Sequence, residues 1–106
     1  MLTIKIKNEY SHGPIWIYDE DGISIMNFPL ITCDERLMEL NEAAITLYNS
    51  YYTFNATTAC DFSYEKEREN RDKMLALISA IIERLHEICD GSYTIEDYET
   101  EALKAL

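Results

Sequence analysis

Basic charge is scarce in this chain: nine Lys and Arg stand against twenty Asp and Glu over 106 residues, a formal net charge of -11 at pH 7. A field of that sign disfavours direct binding of nucleic acid or anionic membrane and steers a cationic partner toward the protein. Ordinary acidic solubility produces the same total. Long apolar runs are missing too. None approaches the roughly 20 residues of a membrane helix, and Met1 to Lys7 alternates where a signal peptide would be continuously apolar. The expectation is a cytoplasmic protein that is neither anchored nor exported.

Chemistry is equally thin. Only His12 and His86 offer imidazoles, and there is no His-x-x-x-His, Cys-x-x-Cys or glycine-rich phosphate loop. No catalytic residue, metal or cofactor is implied. Cys33, Cys60 and Cys89 are odd in number and widely spaced, which suits packing in a reducing compartment better than disulfides. Asp61 beside Cys60 raises a thiol pKa, so Cys60 is a poor nucleophile. Cys33 lies at an expected helix start, where the dipole favours thiolate, and is the one cysteine worth testing.

What is present is a core. Apolar residues make up 47% of the chain and aromatics 11%, enough for one domain spanning residues 1–106 and too much for a disordered chain. Leu2, Ile4 and Ile6 alternate with Thr3, Lys5 and Lys7 as in a half-buried strand. Ser11-His12-Gly13-Pro14 is a turn before a second strand, Ile15-Trp16-Ile17-Tyr18. Asp19-Glu20-Asp21-Gly22 then closes a hairpin onto Ile23-Ser24-Ile25-Met26.

Thr32 and Glu35 have capping-box spacing, so a first helix is expected from about Cys33 to Tyr52, with Leu37, Leu40, Ala44, Leu47, Tyr48 and Tyr51 on one face. Residues 53–62 read as a loop with Phe54 and Phe62 beneath it. Ser63 can cap one second helix, from about Tyr64 to Cys89, closed by Asp90-Gly91. Its first half is polar all round but spaced for ion pairs: Glu65/Arg68, Glu67/Arg71, Arg68/Asp72 and Glu69/Lys73. Its second half, Met74 to Cys89, is apolar on a wide face. Tyr93 to Tyr98 reads as a strand returning beside the first, and Thr100 to Leu106 as a terminal helical turn. The fold expected is α+β: a small antiparallel sheet of N-terminal strands plus a C-terminal strand, covered on one face by two helices.

The acid is uneven. Residues 8–42 sum to -7 and residues 90–106 to -4, whereas residues 65–73 sum to zero. Candidate partner-binding residues follow: Trp16 and Tyr18 beside the tip Asp19, Glu20 and Asp21; Glu39 and Glu42 on the first helix; Glu96 and Asp97 on the last strand. Tyr52 and Asp61 join them from the aromatic region around the loop, where Tyr48, Tyr51, Tyr52, Phe54, Phe62 and Tyr64 would serve equally as an interface or as the floor of a small core. The tip lacks the spaced ligands of a calcium loop and reads as a solvated turn.

The run from Gly13 to Gly22, followed by an acidic helix, a long charged helix and a late Gly91-Ser92-Tyr93 strand, resembles small cytosolic immunity proteins of bacterial toxin–immunity pairs, contact-dependent growth inhibition systems among them. That resemblance implies a non-enzymatic toxin inhibitor. Such proteins neutralise a cognate toxin domain, often a basic nuclease, by covering its active site or substrate groove, with acidic groups in place of phosphates. The free protein would then be a monomer or weak dimer. Two other classes fit the same residues. An acidic nucleic-acid mimic that inhibits a host nuclease predicts one continuous acidic face. A structural or adaptor domain predicts a homodimer through the aromatic loop or a sheet edge.

Overall fold

The computed structural model describes residues 1–53 and 61–106, so Phe54 and Cys60 lie outside the described residues. Strand β1 (Leu2–Ile6) pairs antiparallel with β2 (Ile15–Tyr18), Ile4 opposite Ile17 and Ile6 opposite Ile15. Alternation sends those four isoleucines to one face, where none is more than 9% exposed.

Helices α1 (Pro29–Thr32) and α2 (Glu35–Asn49) follow, then the two-residue strands β3 (Tyr52–Thr53) and β4 (Asp61–Phe62), which pair with each other. Next come α3 (Tyr64–Glu69), α4 (Arg71–Ile88), β5 (Tyr93–Asp97) and α5 (Thr100–Lys104). Leu37, Leu40 and Ala44 of α2 and Met74, Ile78, Ile81 and Leu85 of α4 are buried with the four isoleucines in one core. The fold is α+β, as expected. No helix among the described residues is long and apolar enough to cross a membrane.

Five local expectations give way. The sheet, in order β2-β1-β5, is mixed and not antiparallel: β5 runs parallel to β1, Leu2 opposite Tyr93 and Ile6 opposite Asp97. Hairpin logic governs strands joined by short loops, but the direction of β5 is set by the end of the sheet to which α4 delivers the chain. That end is the start of β1, where the Leu2 amide donates to the Ser92 carbonyl at 2.9 Å.

Residues 23–26 do not form a third hairpin strand. A single bridge joins Tyr18 and Ser24, with Ile25 N donating to Ile17 O at 2.8 Å. Extended Phe28 and Pro29 at the head of α1 then turn the chain away before a ladder can grow.

The first long helix is capped by Asp34 and not by Thr32. The Asp34 carboxylate accepts from Leu37 N at 2.9 Å, while the Thr32 hydroxyl donates back to Asn27 Oδ1 and Phe28 O at the head of α1. The expected second helix is two. Asn70 closes α3 with its side-chain amide on Lys66 O at 2.8 Å and opens α4 by accepting from Met74 N. An asparagine side chain that satisfies its own backbone competes with helix continuation. None of the four ion pairs expected across residues 65–73 closes; Arg71 instead meets Asp72 at 3.4 Å and the Leu106 carbonyl at 3.2 Å.

Two contacts fix how the helices sit. Arg84 of α4 grips Asp34 in a two-pronged pair, Nη2 to Oδ2 at 2.7 Å and Nε to Oδ1 at 3.2 Å, with the Asp34 side chain only 11% exposed. Gly13, at φ 89°, lets the turn before β2 lie against α2; a Cβ there would sit 2.6 Å from Asn41 Oδ1.

The Arg84 guanidinium, then the Leu37 amide, hold the Asp34 carboxyl below its ordinary value of 3.8. A lowered folded-state pKa adds stability that is complete above the unfolded value and lost as pH falls through the folded one. Asp34→Ala removes a cap and the partner of Arg84, so urea unfolding at pH 7 should show a loss of about 1–2 kcal/mol. That deficit should shrink on acidification below the ordinary aspartate range. An unchanged deficit would mean that the carboxylate is not the stabilising group.

Candidate protein-binding surface

The same alternation that buries the isoleucines sends the other side chains of the sheet to the opposite face, over which no described element packs. The pairings place Tyr18, Thr3 and Thr94 in one row and Trp16, Lys5 and Glu96 in the next. Beyond them Lys7, whose amide donates to Pro14 O, and Tyr98, whose amide donates to Ile6 O, extend the grid.

Its rings are ordered before any partner arrives. The His12 imidazole lies on the Trp16 indole, centroids 3.6 Å apart and planes 8° from parallel, and Tyr18 continues the stack at 6.5 Å. Trp16 is fixed at its edge by Nε1 donating to Lys7 O at 3.0 Å. Lys5 Nζ sits 5.0 Å from the Tyr18 ring centre and 5.9 Å from that of Tyr98, and Lys7 Nζ 5.1 Å from Trp16. Ammonium groups over ring faces are attracted by the ring quadrupole and need no carboxylate to hold them. Tyr98, 54% exposed, donates its hydroxyl to Glu96.

Of the residues expected to bind, Trp16, Tyr18 and Glu96 share this face, and the tip adjoins it through Tyr18. Within the tip the roles differ. Asp19 is a turn-former, its Oδ1 accepting from Asp21 N at 2.9 Å and Ile23 N at 2.8 Å. Glu20 meets the N-terminal ammonium, which lowers its carboxyl pKa, and Asp21 is exposed.

The other candidates sit elsewhere. Glu39 and Glu42 line a groove of about 860 Å³ between α2 and α4, with Glu39 4.0 Å from Arg36. Asp97 is on the core side of the sheet, opposite Ile6. Burial acts to raise its pKa, but hydrogen bonds from Thr100 and the Glu99 amide outweigh that and lower it, so it works as the bracket that starts α5.

Tyr52 and Asp61 belong to the short ladder of β3 and β4. Tyr52 packs there with Tyr10, Tyr48 and Phe62 at 4.9, 5.7 and 5.0 Å. Tyr51, 1% exposed, is core, whereas Tyr10 and Tyr64 remain 44% and 65% exposed. This aromatic region is therefore both floor and rim.

Sequence reading missed Lys5, Lys7, His12 and Tyr98. The two lysines alternate with Ile4 and Ile6, so their face was legible; their place between rings needed the strand register. The cysteine expectations change as well. Cys33 and Cys89 are exposed, not packed. Cys33 ends α1 instead of starting a long helix, and Cys89 Sγ donates to Tyr93 O at 3.6 Å. Among the described residues no group of three or more His, Cys, Asp or Glu is arranged to hold a metal ion.

No protein-family model, curated protein or solved structure matches this chain.

At the start of α5, burial raises the pKa of Glu99 even though the Asn8 amide donates to it at 2.8 Å; nearby Glu67 and Asp97 add to the shift. A carboxyl whose folded pKa is raised weakens the fold while charged, and that penalty disappears as pH falls through the folded value to below the unfolded one. Glu99→Gln keeps the acceptor without the charge. Its melting temperature should exceed that of the parent at pH 7, and the two should converge below about pH 4, the ordinary carboxylate range. A variant no more stable than its parent at pH 7 contradicts this account.

Proposed function

We propose that this chain is an immunity protein that neutralises a cognate toxin domain by docking on the uncovered sheet face and its acidic tip. The observation that carries the proposal is the His12–Trp16–Tyr18 stack, a set of rings left open beside the acidic tip. Preordered aromatic area binds at low entropic cost, and such rings dominate the energetics of protein interfaces. The resemblance supplies the class, and the acid excess fits a basic nuclease domain in a cytoplasmic setting.

Lys5 and Lys7 at the middle of the face add specificity. A uniformly basic patch would meet like charge there, so the matching surface is apolar or acidic at its centre and basic at its rim, opposite Glu20, Asp21 and Glu96. An uninterrupted acidic face, as nucleic-acid mimicry requires, is not what these lysines leave. That weighs against the mimic.

Co-expression with the toxic product of a neighbouring gene is the direct test: the parent chain should protect cells and co-purify with that product. A folded Trp16→Ala chain should lose affinity by about 2 kcal/mol or more, as a central aromatic anchor does. Full protection by that variant would move the interface elsewhere. Glu20→Lys with Asp21→Lys, leaving the turn-forming Asp19 intact, should slow association with little effect on dissociation and flatten the salt dependence. Unchanged association kinetics would exclude the tip from steering.

A further inference from the structure

Among the described residues, strand β5 pairs with another strand on one side only. Leu2 N donates to Ser92 O and Tyr98 N to Ile6 O, so the even-numbered residues of this segment turn their backbone groups toward β1. The odd-numbered residues face outward. Cys89 Sγ occupies the Tyr93 carbonyl, which leaves the N–H and C=O of Ile95 and of Asp97 along an edge where no described strand pairs.

Beside that end of β5 runs a trough of about 680 Å³, lined by Ile82, Glu83, His86 and Glu87 of α4 with Asp97 and Thr100. Its charge is acidic. The nearby cations are engaged: Arg84 is drawn onto Asp34 at 2.7 Å and Glu87 at 3.0 Å, and Lys104 lies 3.9 Å from Glu101.

We propose that this edge and trough take an extended basic segment of a protein partner as an added strand. An edge strand flanked by a helix offers backbone bonds for affinity and a channel for alternate side chains. Here Ile95 and Asp97 supply the backbone bonds, Ile82 an apolar contact, and the exposed Glu83 the attraction for lysine or arginine. A second copy of β5 is a poor occupant, because Glu96 and Asp97 would meet their own kind.

The site refines the binding role proposed above. A strand added to β5 would widen the open face by one row next to Glu96, so a toxin could engage the rings and the edge together. It also stands on the edge geometry alone, and its test needs no toxin.

The probe is a blocked octapeptide of alternating lysine and valine, with a twin N-methylated on alternate residues so that composition and charge persist while outward pairing is lost. Amide exchange of the ¹⁵N-labelled protein is followed at low salt. With the first peptide, exchange at Ile95 and Asp97 should slow by about tenfold or more, as hydrogen-bonded edge amides do. The twin should leave both amides unprotected. Glu83→Lys, at an exposed position, should weaken the first peptide about fivefold. Equal binding of both peptides, protection mapped to other strands, or no binding at millimolar peptide overturns the proposal. A chain that fails to protect cells but pairs with the peptide separates this inference from the immunity role.

Discussion

Among the described residues, the architecture follows from helices covering a three-stranded sheet on one side only. The backbone of β1 must send Ile4 and Ile6 one way and Lys5 the other, and α2 and α4 supply apolar side chains for the first direction alone. The core is thereby closed with few residues. The second direction is left to side chains that tolerate water on one side, which is why rings, lysines and a carboxylate occupy it. Close approach at Gly13 and the Arg84–Asp34 grip fix how the helices sit, and the exposed surface inherits its shape from them.

Charge is partitioned by the same geometry. Acid is concentrated at the tip after β2, on the outer surface of α2 and around the end of β5, whereas Lys5 of β1 lies between the Tyr18 and Tyr98 rings and Lys7, just beyond β1, over Trp16. A partner therefore meets separate acidic patches around an aromatic centre. Several of those carboxylates have structural duties, Asp19 in its turn and Asp97 at the head of α5, and counting acids along the sequence does not distinguish them from Asp21 or Glu42. Only the local backbone shows which oxygens are already occupied.

That distinction marks what the sequence makes legible. Period-two and three-to-four-residue patterns report which side chains face the core, so β1, β2, α2, α4 and β5 could be read from Ile4, Ile17, Leu40, Ile78 and Tyr93 with little loss. Patterns of that kind are silent about direction and about breaks. The parallel sense of β5 depends on where α4 ends in space, and the division at Asn70 depends on a side-chain amide folding back onto Lys66. The candidate surface shows the same limit. Trp16, Tyr18 and Glu96 were identifiable as residues, but their joining with Lys5, Lys7, His12 and Tyr98 appears only when three strands are set in register.

Trp16 is the sole tryptophan of the chain, and it lies on the open face in van der Waals contact with an imidazole. Indole emission shifts in colour when water leaves its surroundings. The protein thus carries its own optical label at the centre of its candidate interface. Its fluorescence should report the arrival of a partner in the complex, with no dye and no engineered residue.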